Sequence, residues 1–249
     1  MRTILVTGGT GTVGRPTVER LRRAGHEVRV LSRQRRPDLL TGDLSTGAGL
    51  REAVDEVDTV VHLATSRGHQ DVAQLRRLLE VVGTTGIGHL VLISIVGIEQ
   101  IPMPYYRDKV EIERLVTESK VPYSILRATQ FHNLVDEILS AQRFLPVLLA
   151  PAVKTQPIAV EDVAVRLTEI AGGAPAGRLP DIGGPEQTNL PALARAWKQA
   201  KGSRRPVVPL RLPGKAFGAY RAGAAYASGA GYGRRTFADF LADRFGVSA

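Results

Sequence analysis

The sequence predicts an α/β fold in which a parallel sheet is covered by helices on both faces. Three observations lead there. The first half of the chain repeats one theme: a short β-branched run, a turn, then an amphipathic helix. The strand-like runs are continuously apolar rather than alternating, as strands buried on both faces are. The chain has 249 residues, 43% of them hydrophobic, which suits one α/β domain with a sizeable core.

The elements follow in order. Thr3 to Thr7 reads as a buried strand, and Thr12 to Ala24 carries helical spacing that stops at Gly25. Glu27 to Ser32 is a second strand, Gly49 to Val54 a short helix and Thr59 to Leu63 a third strand. Asp71 to Val82 is a helix with Val72, Leu75, Leu78, Leu79 and Val82 on one face. His89 to Ser94 is a fourth strand, Asp108 to Ser119 a helix and Tyr123 to Leu126 a further strand. Beyond it the pattern loosens. Gln130 to Phe144 reads as helix, and Leu145 to Val153, apolar but broken by Pro146 and Pro151, reads as a covered loop or greasy lid. Ile158 to Val160 is extended before a helix from Glu161 to Ala171, Arg178 to Ile182 is a candidate strand, and Leu190 to Ala200 a helix. Gly214 to Gly233 mixes Gly and Ala with Phe217, Tyr220, Tyr226 and Tyr232 and reads as helix and loop. No Pro/Gly/Ser-rich linker divides the chain, so residues 1–249 read as one domain.

Composition removes several function classes. The chain has no cysteine, so disulfides, thiolate nucleophiles and Cys-based metal sites are excluded, and no His/carboxylate pattern suggests another metal. No apolar run is long enough to span a bilayer and no signal-peptide pattern opens the chain, so no membrane partner and a cytoplasmic location are expected. Lys+Arg is 33 against 24 Asp+Glu, a net charge of +9. The cations are scattered in short clusters such as Arg33 to Arg36 without interleaved aromatics, so no nucleic-acid partner is expected either.

The most informative segment is ILVTGGTGTVGRPTVERLRRAGHEVRVLSR. A strand ends at Thr7, Gly8, Gly11 and Gly14 follow in G-x-x-G-x-x-G spacing, and a helix starts. Gly9, Gly11 and Gly14 also fit the shorter G-x-G-x-x-G. Glycines here allow a tight turn, close approach of backbone to a pyrophosphate and close helix–strand packing, while the helix N-terminus offers N–H donors to the anion. With Thr10, Thr12 and Val13 completing the loop, the segment predicts a dinucleotide site. The second strand closes on Ser32, Arg33, Gln34, Arg35 and Arg36 without the acid that NAD-preferring sites use for the ribose hydroxyls. Arg33, helped by Arg36 or Arg35, fits a 2′-phosphate, so NADP(H) is expected over NAD(H).

TGGTGTVG at the first turn, TGDLS at 41–45, VVHLAT at 60–65 and LVLISIVGI at 90–98 occur in that order, followed by YYRDKVEIERLV, VPYSILRATQFH and IAVEDVA. Together they resemble the atypical short-chain dehydrogenase/reductases, in particular the NmrA-like NAD(P)-binding branch, over roughly residues 1–200. The resemblance implies a Rossmann doubly wound parallel sheet with strand order 3-2-1-4-5-6 and a small C-terminal substrate lobe formed by residues from about 130 onward. It implies that Asp43 and Leu44 flank the adenine, that Leu63, Ala64 and Thr65 line the cofactor cleft, and that Ala128 to Phe131 approaches nicotinamide and substrate.

Tyr105 and Lys109 have Y-x-x-x-K spacing, and i and i+4 share one helix face. Ser94 ends the fourth strand, which is expected to neighbour the first at the point where the winding reverses. The resemblance implies that Tyr105 donates a proton to a carbonyl oxygen, that Ser94 holds that oxygen, and that Lys109 lowers the tyrosine pKa and binds the nicotinamide ribose. Only ten residues separate Ser94 from Tyr105, fewer than in most members of that superfamily, and Pro102 and Pro104 lie just before the tyrosine. Lys109 also stands four residues from Glu113, the spacing of an exposed helical ion pair. Gln130, Phe131 and Asn133 follow a strand end and are candidate substrate contacts; His62, within a strand, reads as a packed core histidine.

The leading expectation is an NADPH-dependent oxidoreductase that reduces a small carbonyl, quinone-like or enone-type substrate, as a monomer or homodimer. Two alternatives stand beside it: a non-catalytic NADP(H)-sensing protein, motivated by the short Ser94–Tyr105 spacing, and a nucleotide-sugar epimerase or dehydratase.

Overall fold

A computed structural model of the chain describes residues 1–66, 68–229 and 231–246. The trace begins with β1 (Thr3–Thr7), α1 (Gly14–Arg23), β2 (Glu27–Ser32), β3 (Leu40–Thr41), α2 (Leu50–Val54), β4 (Thr59–His62), α3 (Gln70–Thr85), β5 (His89–Ile95), α4 (Pro104–Glu118) and β6 (Tyr123–Ala128). It continues through α5 (His132–Ser140), β7 (Leu148–Pro151), β8 (Lys154–Thr155), α6 (Val160–Gly172), β9 (Gly177–Arg178) and β10 (Thr188–Asn189). The last elements are α7 (Leu190–Ala200), β11 (Val207–Leu210), α8 (Lys215–Ala222) and α9 (Phe237–Phe245).

The main sheet has seven strands in the order β3-β2-β1-β4-β5-β6-β9. Its first six positions are the expected doubly wound order, extended by β9, and the pairings from β3 to β5 are parallel. β3 is two residues long and exposed, too short to leave a hydrophobic pattern in the sequence. It is nevertheless the third strand of the order, so every later strand moves up one number. The strand beside β1 is therefore β4, with Thr7 opposite His62, and the strand carrying Ser94 is β5, one position further out. This corrects the expectation that Ser94 stands on the strand next to the first.

The chain divides into two compact units. The first comprises residues 1–94, 104–127 and 163–180. Its core is aliphatic: Leu5, Leu50, Leu75, Leu78, Leu90 and Ile112 are almost fully buried between sheet and helices. Burying each such side chain contributes about 1.5–3 kcal/mol.

The second unit comprises residues 95–103, 128–162 and 181–249. Its core centres on Trp197 of α7, fully buried, with Val135 and Leu139 of α5, Leu148 of β7 and Phe237 and Leu241 of α9. The Trp197 indole N–H donates to the Asp136 carboxylate at 2.7 Å, as a buried indole N–H requires. The expected lid at 145–153 splits in two. β7 pairs in parallel with β11 and buries Leu148 and Ala150, whereas Phe144 and Leu145 stand out in solvent. Pro151 and Pro209 obscure both strands in the sequence, but each lies on an edge of a two-stranded sheet where a missing N–H costs little. The expected helix 130–144 is shorter, because Phe131 is extended, with Ile158 N donating to the Gln130 carbonyl and His132 N to the Ile158 carbonyl on either side of it. α9, not anticipated, starts at a capping box in which Thr236 and Asp239 satisfy each other's backbone N–H.

Candidate dinucleotide and proton-transfer site

The first unit carries the glycine loop between β1 and α1. Gly8 has φ +70°, and a Cβ there would lie 2.6 Å from the backbone N of Ala64. A side chain at position 8 would thus strain its own backbone and drive the loop off the end of β4. A Cβ on Gly14 would lie 2.1 Å from the Gly8 carbonyl oxygen, so only glycine lets α1 begin where it does. α1 opens at Gly14, two residues later than the spacing of apolar residues predicts, since 12 and 13 belong to the turn. No side chain caps its N-terminus and its first turn holds no acid, while Thr10, Gly11 and Thr12 are exposed. Arg15 N–H turns back onto the Gly11 carbonyl at 3.1 Å and Pro16 has none, so what fits a pyrophosphate here is the positive dipole end of the helix beside an exposed glycine cradle.

At the end of β2, Arg33 and Arg35 are exposed and hold no partner among the described residues, whereas the Arg36 guanidinium pairs with Asp38 at 3.2 Å. The Ser32 hydroxyl accepts from the Gln34 N–H at 3.1 Å. Gly42 hydrogen-bonds to the Ser32 carbonyl, which sets the next segment beside β2. There the Asp43 carboxylate accepts from Ser45 N at 2.7 Å and Leu44 is buried.

At the end of β4, Leu63 N donates to the Thr7 carbonyl, which carries Leu63, Ala64 and Thr65 past the glycine loop. Pro104 occupies the first position of α4, where its fixed φ and missing N–H are tolerated, and the helix therefore starts earlier than the predicted Asp108. Tyr105 and Lys109 consequently sit on one face of its first turns, with the ammonium 5.3 Å from the phenol ring centre. The Tyr105 hydroxyl lies 3.3 Å from Thr65 Oγ1.

Lys109 is not the exposed partner of Glu113 that its spacing allows. Its side chain is 8% exposed and its ammonium lies 3.6 Å from Asp71 Oδ2, while Glu113 is held by the Arg127 guanidinium at 2.6 Å. Asp71, absent from the sequence-derived set, is the organising group. Its carboxylate accepts from Thr65 Oγ1 at 2.5 Å and from the Ser66 N–H and hydroxyl, both at 2.6 Å. Burial pushes this carboxyl up, but the bonds from Ser66 and Thr65 and the Lys109 charge outweigh it and hold it below the usual carboxylate range. The sequence shows Asp71 only as a first-turn helix acid; its partner lies 38 positions away, beyond any local pattern.

An ionised carboxylate only accepts, so Thr65 donates to Asp71 and the remaining bond runs from the Tyr105 O–H to the Thr65 oxygen. His62 lies alongside with Nδ1 2.8 Å from Thr7 Oγ1. Burial, then the Lys109 charge, lowers its pKa to about 4, so the ring is neutral. Ser94 is buried, and its hydroxyl has no hydrogen-bond partner among the described residues. In the second unit Gln130 Oε1 accepts from Thr155 at 3.1 Å, Phe131 precedes α5 and Asn133 is half-buried.

Comparison with known proteins decides the family. The model of the family described as NAD(P)H-binding matches residues 8–171. The chain belongs to that family. The resemblance to atypical short-chain dehydrogenase/reductases is borne out at this level. A (4-alkanoyl-5-oxo-2,5-dihydrofuran-3-yl)methyl phosphate reductase of Streptomyces griseus is 30% identical over 225 residues, 84% of this chain and 76% of that protein. The chloroplastic divinyl chlorophyllide a 8-vinyl-reductase of Oryza sativa is 29% identical over 76% of this chain. The photosystem II assembly factor Ycf39 of Trieres chinensis is 29% identical over 58% of this chain. The matched regions span only 56% and 50% of those two relatives. Among solved structures, an NADPH-dependent quinone oxidoreductase of Escherichia coli in complex with NADPH superposes with TM-score 0.80 at 17% identity, covering 97% of this chain and 99% of that one. At that identity the likeness is one of fold. The chain is thus an NAD(P)H-binding member of a fold shared by reductases and epimerases, and among the described residues no helix is long and apolar enough to cross a membrane.

Proposed function

We propose that this protein is an NADPH-dependent reductase of a small carbonyl, quinone-like or enone-type compound. The observation that carries the reading is the chain Tyr105–Thr65–Asp71–Lys109, which sets a phenol, a hydroxyl, a carboxylate and an ammonium together beside the glycine loop's strand end. Two relatives named as reductases and a fold neighbour named as a quinone oxidoreductase support the same class.

In this reading Gly8 to Gly14 and the α1 N-terminus hold the pyrophosphate, with Thr10, Thr12 and Val13 shaping the turn. Arg33 takes the 2′-phosphate; Ser32 and Arg36 flank it, Arg36 at the cost of sharing its charge with Asp38. Asp43 and Leu44 receive the adenine, and Leu63, Ala64 and Thr65 follow the nicotinamide half. The bound nicotinamide supplies a hydride. The protein's own part is a proton: Tyr105 gives its hydroxyl proton to the reduced substrate's oxygen, and Lys109 stabilises the phenolate left behind while binding the ribose. Asp71 fixes Lys109 and orients Thr65. Ser94 offers its spare hydroxyl to the substrate oxygen; Gln130, Phe131 and Asn133, which belong to the second unit, are assigned to substrate binding on sequence position and the family resemblance alone.

A non-catalytic sensor is the second reading, favoured by the burial of Ser94 and by a lysine whose charge Asp71 already balances. One experiment separates them: titrate the protein with NADPH and NADH by cofactor fluorescence, then follow NADPH oxidation across quinones, enones, carbonyls and nucleotide sugars. Turnover of a quinone, enone or carbonyl supports the reductase. Binding of NADPH with every compound inert removes it in favour of the sensor.

A further inference from the structure

We infer that the loop at 141–147 docks this protein peripherally on anionic lipid bilayers. Among the described residues, Phe144 is 83% exposed, the most of any large apolar side chain after the chain's first residue, and Leu145 and Ile138 are each 41% exposed. Ile138 lies on the adjoining α5, and the loop that presents Phe144 and Leu145 is built rather than loose. The Gln142 side chain clamps both the N–H and the carbonyl of Leu149, at 2.8 and 3.1 Å. The Arg205 guanidinium donates to the carbonyls of Gln142 and Leu145, at 2.6 and 3.4 Å. Leu145 N closes a turn onto the Gln142 carbonyl at 3.0 Å. An apolar tip held outward by this many bonds has no explanation in the packing of its own unit, whose core takes Leu148 and Ala150 from the same stretch instead.

The charge around the tip names the occupant. Arg143 lies over the Phe144 ring at 4.5 Å. Leu148 N bonds to the Pro206 carbonyl, so the loop 201–206 adjoins, and it brings Lys201, Arg204 and Arg205. Neither 141–147 nor 201–206 contains an acid. An aromatic and an aliphatic side chain with Arg143 against the ring and a basic, acid-free loop adjoining match the headgroup boundary of a bilayer with negative lipids, where apolar insertion and attraction to the surface act together. A second copy of this chain is the poorer occupant: a two-fold contact here sets the same four cations against themselves. Peripheral docking needs no spanning helix, and among the described residues no helix is long and apolar enough to be one.

The test is co-sedimentation of the full chain with vesicles of phosphatidylcholine alone and of phosphatidylcholine mixed with phosphatidylglycerol. Binding is expected only with the anionic vesicles and is weakened by salt. Phe144→Ser/Leu145→Ser and, separately, Arg143→Gln/Arg204→Gln should each reduce it about fivefold or more, with unchanged thermal melting because the residues are exposed. As an independent readout, Phe144→Trp should blue-shift its emission on anionic vesicles. No sedimentation with anionic vesicles, or variants that bind like the parent, overturns the inference. So does a dimer in ultracentrifugation that Phe144→Ser/Leu145→Ser dissociates, which assigns the tip to self-association.

Discussion

The Lys109 ammonium stands 3.6 Å from the Asp71 carboxylate, and both side chains are almost wholly buried. A pair of this kind gains little over an apolar pair, because desolvation offsets most of the attraction, but breaking it leaves one charge stranded.

Asp71→Asn is therefore expected to destabilise the protein by about 3–5 kcal/mol, read as a lowered urea midpoint. Asp71→Asn combined with Lys109→Met should recover most of that loss, since no unpaired charge remains. Additive losses in the double variant show that the two charges do not sense each other.

Tyr105→Phe keeps the ring and removes the proton. Turnover of any substrate found by screening should fall by about 10²-fold or more, the scale of general acid catalysis, with NADPH affinity within about twofold. Unchanged turnover removes Tyr105 from the chemistry. Thr65→Val should move the pH dependence of turnover, because the phenol loses the oxygen it donates to.

Arg33→Ala should weaken NADPH binding by about 1–3 kcal/mol, the scale of a lost charge-assisted bond, and leave NADH nearly unaffected. Arg36→Ala should cost less, since Asp38 already engages that guanidinium. Equal losses for both cofactors at Arg33 defeat the 2′-phosphate assignment.

Stability should fall on mild acidification. His62, His89 and His132 all have pKa values lowered to about 4, chiefly by burial. Between their ordinary value of about 6.5 and about 4 the unfolded chain binds protons that the folded chain refuses, so stability declines as pH drops through that window. The melting temperature should thus decrease from about pH 7 to about pH 5, and His89→Gln should flatten the slope. A flat parent profile contradicts the burial of neutral histidines.

The glycine loop and the alternating elements around it were legible because their physics is local: a turn that excludes Cβ at 8 and 14, apolar strands, helical spacing. The two-residue β3 was not, since nothing in an exposed Leu40–Thr41 pair distinguishes it from a turn, and missing it put Ser94 beside the wrong strand. Asp71 was hidden for a different reason. Its meaning comes from Thr65, Ser66 and Lys109 converging in space, and only the first two are near it in sequence. Proline misled at β7 and β11, where edge positions tolerate it.

The alternation of the two units along the chain constrains any attempt to change what this protein recognises. No single cut separates them, because 95–103, 128–162 and 181–249 belong together. Under the substrate role proposed for that unit, transplanting a relative's specificity means splicing all three stretches at once while the glycine loop between β1 and α1 stays in place.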